Sequence, residues 1–188
     1  MSTTETTVTT PAAGTYNIDP THSRIGFAVR HAMISKVRGS FNEFAGSGHF
    51  DLNDPSSIEL SLEIDVASLD TRNADRDGHV LSADFLDAEQ FPKITFASTS
   101  VRRNGDDFTV VGDLTVKDIT RPVEIEFEYG GAATDLYGMK RIGFDGSTTI
   151  SREEFGVTFN APLETGGVIV GDKVTLEFEV SAVLADQA

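Results

Sequence analysis

"SIELSLEIDV", residues 57–66, carries Ile58, Leu60, Leu62, Ile64 and Val66 on one parity and Ser57, Glu59, Ser61, Glu63 and Asp65 on the other. Successive side chains of a strand point to opposite faces, so this stretch reads as a strand with one buried and one solvated side. The same period of two recurs in "RPVEIEFEYG" (121–130), in "KRIGFDGSTTI" (140–150) and in "DKVTLEFEVSAVL" (172–184). Weaker versions lie at 23–33, 39–52, 93–101 and 107–116, which brings the expectation to about eight long strands. "RNGD" at 103–106 predicts a tight hairpin, because Asn and Gly tolerate the positive φ of such a turn. "NDPSS" (53–57) and "YGGAATDLYG" (129–138) are looser breaks, and antiparallel meandering connections follow. Strands apolar on one face and acidic on the other suit a sandwich or a closed barrel.

The one segment without this period is "TRNADRDGHVLSADFLDAEQFPKITF" (71–96). Asn73 or Asp75 is placed to cap a short helix there, which Pro92 must end or follow. Asp75 or Asp77 beside His79 has the composition of an acid–base pair. General acid–base chemistry also needs a nucleophile or activated water within reach, and no Gly-x-Ser-x-Gly or His-Glu-x-x-His motif occurs in the chain. The favoured reading is structural: Arg76 and Asp77 form local ion pairs while Val80, Leu81, Phe85 and Leu86 pack as a cap, residues 72–91, over one end of the sheet. No catalytic residue is assigned.

Thirty Asp and Glu against fifteen Lys and Arg give a net charge of −15 over 188 residues, enough for one domain. That field repels nucleic acid and anionic membrane surfaces. The absence of Cys removes disulfides and thiolate chemistry. No metal site is assigned: His22 and His31 differ in parity, and His49 and His79 fall on other elements. The Thr-rich opening lacks the basic and apolar regions of a secretory signal and reads as a disordered tail, residues 1–13; residues 14–186 form the domain. No apolar run approaches membrane-helix length, and the missing Trp and three Tyr argue against an outer-membrane barrel. The expectation is a soluble, cytoplasmic protein that is not integral to a membrane.

Five short segments, read in order, carry a resemblance: "YNIDPTHSRIGFAVRH" (16–31), "GSFNEFAGSGHFD" (39–51), "SLDTRNADRDGHVLSADFLDAEQFPKITFAST" (68–99), "GDLTVKDITRPV" (112–123) and "ISREEFGV" (150–157). Their order and spacing resemble the YceI-like proteins, lipocalin-like barrels that bind polyisoprenoids, over about residues 15–184. The resemblance implies an all-β fold, a single antiparallel eight-stranded barrel with an apolar lumen and one short helical insertion. It also implies a long-chain isoprenoid ligand, a polyprenyl phosphate or an isoprenoid quinone, held for storage, transport or sequestration without a further cofactor. Many relatives are exported, whereas this chain lacks the signal; Val80 stands where Leu is more frequent. The expected lumen residues are Phe27, Val29, Phe41, Leu60, Leu62, Phe96, Leu114, Ile125, Phe127, Phe144 and Phe178, although Phe-rich positions also suit a filled core. His31 shares parity with Ile25, Phe27, Val29 and Met33 and is expected to point inward, where either a hydrogen bond within the protein or the polar end of a ligand satisfies its imidazole. An enzyme acting on an isoprenoid and a structural barrel without ligand remain the alternatives, and a homodimer stays open.

Overall fold

The computed structural model describes residues 10–185, so most of the expected tail, residues 1–9 of 1–13, and residue 186 of the expected domain lie outside the described residues. Its strands are β1 (Gly14–Ile18), β2 (Arg24–His31), β3 (Ser35–Phe41), β4 (Phe44–Phe50), β5 (Glu59–Asp65), β6 (Leu69–Asp70), β7 (Lys93–Asn104), β8 (Asp107–Val116), β9 (Ile119–Thr134), β10 (Lys140–Ser151) and β11 (Val170–Leu184), with one helix, α1 (Ala74–Leu81). All pair antiparallel in one sheet, and β1 hydrogen-bonds both β4 and β11, which closes the sheet into a barrel. β1 and β2 lie end to end along β11. β3 and β4 form the next stave, and β5 and β6 the third. With β7 to β11 the staves number eight, in an up-and-down meander. The expected eight-stranded barrel is therefore the fold, with each of its first three staves interrupted along its length.

The first break is built by "DPTHS", residues 19–23. Proline has no N–H to give a ladder and here opens a short 3-10 turn, Pro20–His22. The Asp19 carboxylate accepts the amide of Thr21 at 3.0 Å and its hydroxyl at 2.7 Å. The ladder is repaired across the gap: Asp19 N–H bonds Ser181 O at 2.8 Å, and the Ser23 hydroxyl bonds both N and O of Ser181. Arg141 then ties this corner to the β9–β10 hairpin, reaching Asp19 and Asp135 at 2.7 Å each. The Thr21 hydroxyl, Arg141 and His22 hold the Asp19 carboxyl well below the usual carboxylate range. Arg141 also lowers the pKa of the Asp135 carboxyl.

Two hairpins show where turn chemistry departs from the simple rule. Asn104 and Asp107 pair as the last ladder rung, so the loop is Gly105–Asp106, one place later than an Asn104–Gly105 turn. Gly105 takes the positive φ of +65°. Between Val116 and Ile119 the two-residue loop is Lys117–Asp118, both left-handed at φ 51° and 61°, without any glycine. Helix α1 is capped by Asn73, whose side chain accepts the Arg76 amide at 2.9 Å, and it ends at Ser82, well before Pro92.

Apolar contacts gather at the two ends of the barrel. At the helix end, Val66, Phe85, Phe155 and Val157 are buried with Ile64, Ile94 and Val116. At the opposite end, the Phe50 ring meets Tyr16, Phe108, Tyr129 and Phe144 with centroids 5.5–6.2 Å apart. Between the two plugs the interior is not close-packed.

Candidate functional site

A cavity of about 190 Å³ runs between the plugs. Its wall on β8 extends from Phe108 through Val110 and Leu114 to Val116, a strand rise of roughly 26 Å at about 3.3 Å per residue. So small a volume over that length makes a narrow channel. An apolar cavity of about 150 Å³ already takes up a benzene-sized molecule, so the channel accepts a thin chain rather than a bulky body. No His, Asp, Glu, Lys or Arg lines it. The hydroxyl of Tyr16, which does, is turned away to bond Ala12 O at 2.7 Å. Ser47 and Ser61 border it from the exposed side of paired strands.

Glycine keeps this channel open. Phe127 lies across the rung from Gly146, and a Cβ added to Gly146 would sit 2.4 Å from Phe127 Cδ1. Phe96 reaches Gly112 diagonally, since its own rung partner is Leu114, and a Cβ added there would lie 2.4 Å from Phe96 Cζ. Each ring occupies the space that a side chain on the neighbouring strand would fill. Leu60, Leu62, Phe96, Phe127 and Phe144 point inward yet are only half-buried, because they border open space rather than packed atoms.

Of the residues expected to line the lumen, Phe41, Leu60, Leu62, Phe96, Leu114, Ile125, Phe127, Phe144 and Phe178 do so. Phe27 and Val29 do not, although their register with Leu176 and Val174 turns them inward. The Phe27 ring covers Gly39 beside Thr71, under the helical segment. His31 corrects its expectation outright: it is exposed. Its parity is the inward one, but it pairs with Ser35 and Val170 at the last rung of β2, beyond the residues that line the channel.

The cap residues Val80, Leu81 and Leu86 are half-buried and Phe85 is buried, all packed on the helix-end cluster. Phe85, Phe159 and the His79 imidazole form a triangle of rings 5.0–5.2 Å apart. The Asp/Arg/Asp/His run resolves into fasteners. Asp77 accepts both the amide and the hydroxyl of buried Thr71. Arg76 donates to Thr71 Oγ1 at 2.8 Å and to its carbonyl at 2.7 Å. Arg76 and Asp77 thus meet on Thr71 and not in the ion pairs expected of them. His79 Nε2 lies 2.8 Å from Asp84, on the outside, and pairs with neither Asp75 nor Asp77. Among the described residues no three His, Asp or Glu side chains converge to hold a metal ion.

Two polar groups went unassigned in the sequence. Arg152, within "ISREEFGV", is buried with no carboxylate on it. Its guanidinium donates to four backbone carbonyls, Gly171, Val157, Phe159 and Val170, at 2.7–3.3 Å, and so pins residues 155–160 under the cap. Burial holds its pKa below the ordinary guanidinium value. The Tyr129 hydroxyl is buried at the opposite plug without a hydrogen-bond partner, and burial raises its pKa. A lone Arg among Glu residues and a Tyr on an alternating strand carry no local signal of either role.

A closed up-and-down barrel around a narrow apolar channel, plugged at both ends, defines the class of this protein. The chain belongs to the YceI-like domain family, whose model matches residues 16–182. It is 40% identical to a UPF0312 protein of Staphylococcus aureus over 168 residues, 89% of this chain and 95% of that one. Among solved structures it is similar to BcnA of Burkholderia cenocepacia, with a TM-score of 0.77 at 25% identity over 87% of this chain and 98% of that one. A polyisoprenoid-binding domain from Saccharophagus degradans shares the fold, with a TM-score of 0.67 at 14% identity over 90% of this chain and 98% of that one. No helix among the described residues is long and apolar enough to cross a membrane.

Proposed function

We propose that the protein binds an isoprenoid lipid in the barrel lumen and acts as a carrier or store for it, without transforming it. The observation that carries this reading is the channel itself, about 190 Å³, drawn out along the barrel and lined by no ionic side chain. Burying apolar chain is worth about 0.8 kcal/mol per methylene, so a five-carbon unit contributes roughly 4 kcal/mol before ordering costs. The tail therefore supplies the affinity. A wall without cations favours a neutral, quinone-like head over a polyprenyl phosphate, whose charge would have to stay outside. The fold shared with a polyisoprenoid-binding domain supports the same reading. A cytoplasmic setting belongs to the proposal and is open to test by cell fractionation.

Mass spectrometry of organic extracts from gently purified protein is the decisive test. An isoprenoid quinone at near-stoichiometric amount is the expected result. Extracts holding only polyprenyl phosphates would reverse the choice of head. Protein that extracts empty, and takes up neither a polyprenyl alcohol nor an isoprenoid quinone offered in detergent, would leave a barrel without this function.

A further inference from the structure

We propose that the β2–β3 hairpin is a membrane-docking tip that seats the helix end of the barrel on an anionic lipid surface. In a chain of net charge −15, residues 20–42 contain no Asp or Glu and carry Arg24, Arg30, Lys36 and Arg38. The loop between paired His31 and Ser35 exposes Met33 by 58% and Ile34 by 84%. Ala32 and Met33 are left-handed, at φ 50° and 63°, a conformation that disfavours side chains. The hairpin thus spends backbone strain on holding two apolar side chains in water, which no packing within the barrel repays.

The tip is placed beside the cap. The Ala32 amide bonds Ile169 O at 2.8 Å, and Val168 on that neighbouring loop is itself 38% exposed. The same connection, which follows Phe155 and leads into β11, carries Phe159, which packs on Phe85 and His79. Arg24 and Arg38 share Glu177, at 3.2 and 3.8 Å. Neither Arg30 nor Lys36 has an acidic partner within 4.0 Å among the described residues. Two free cations around an apolar tip complement an anionic headgroup layer over an acyl interior. The helical segment at this end is acidic, with Asp75, Asp84 and Asp87, and Glu164 sits on the neighbouring loop, so contact is made by the hairpin edge and not by the whole face. A second copy of the chain fits less well, since a two-fold contact would set Arg30 and Lys36 against their own copies.

The chain contains no Trp, so Ile34→Trp makes a single reporter at the tip. Vesicles of phosphatidylcholine with phosphatidylglycerol, and of phosphatidylcholine alone, are mixed with the protein at low salt; both lack isoprenoids, so docking and lumen binding fail or succeed separately. The expected result is a blue-shifted emission, quenched by brominated acyl chains, on the anionic vesicles only. Each cation near such a surface is worth about fivefold in affinity, so the double variant Arg30→Gln/Lys36→Gln should bind about 25-fold more weakly with unchanged melting. Emission unmoved by anionic vesicles, affinity unchanged in the double variant, or self-association relieved by Ile34→Ser would each overturn the proposal.

Discussion

Gly146→Ala tests whether glycine holds the channel open. The added Cβ would lie 2.4 and 2.6 Å from Phe127 Cδ1 and Cε1 and 2.9 Å from the Glu126 carbonyl oxygen. Carbon pairs rest at about 3.5–4.0 Å, so the ring has to move by an ångström or more. The Glu126 oxygen is backbone and yields less readily than a side chain, so the relief falls on the ring, which is expected to swing into the lumen. Overpacking of this kind costs about 1–3 kcal/mol, against which the smaller unfolded-state entropy of Ala returns about 0.4–1. The net loss of about 1–2 kcal/mol corresponds to a Tm lowered by roughly 2–8 °C for a domain of this size. Binding should fall further than stability does. A ring swung across the channel takes the space of about one five-carbon unit, roughly 4 kcal/mol of burial, or about a thousandfold in Kd for a long-chain quinone. Melting by circular dichroism and titration with a fluorescent isoprenoid read the two effects. Adding Phe127→Ala to the variant removes the obstructing ring and should restore binding, giving a large coupling energy in the double-mutant cycle. A folded Gly146→Ala protein with unchanged affinity, or no rescue by the second change, would refute the reasoning.

Arg152→Met removes the donor to four backbone carbonyls and should cost about 3–5 kcal/mol, with the loss of hydrogen-exchange protection concentrated in residues 155–160. The Asp19 and Asp135 carboxyls titrate below their unfolded values, so the stability they contribute is present above about pH 4 and is lost as pH falls through the folded pKa. Acid titration of Arg141→Met, followed by urea melts at each pH, should show a shallower loss over that range than the parent. Tyr129→Phe deletes a buried hydroxyl without a partner and should leave the Tm equal or raise it by a few degrees; a clear drop would mean the hydroxyl has a partner in solution.

The alternation that revealed β5, β9 and β11 was legible because Glu and Ser mark the solvated face of each strand and the period survives over many residues. The breaks were not. Residues 39–52 scan as one strand, yet Asn42 and Glu43 turn out of the ladder to bond Ser68 and Asp65, partners that no local pattern names. Parity likewise told which way His31 points but not how far along the barrel it lies, and the lumen ends before it does. The lining was largely readable as apolar strand positions. The space inside it was not, since it depends on cross-strand pairs such as Phe127 with Gly146, and a one-strand period contains no information about the neighbour opposite.

The seam between β1 and β11 has a kinetic meaning. Tyr16 pairs with Leu184 and Ile18 with Ala182, so the rungs that seal the barrel join the two ends of the domain. The hairpins from β7 through β11 can each form from near neighbours, but the seam needs the whole chain. On the ribosome the growing protein is an open sheet with a bare margin until β11 emerges. Removing β11 would leave that margin permanently unpaired, and such a truncated chain should aggregate instead of forming a smaller barrel.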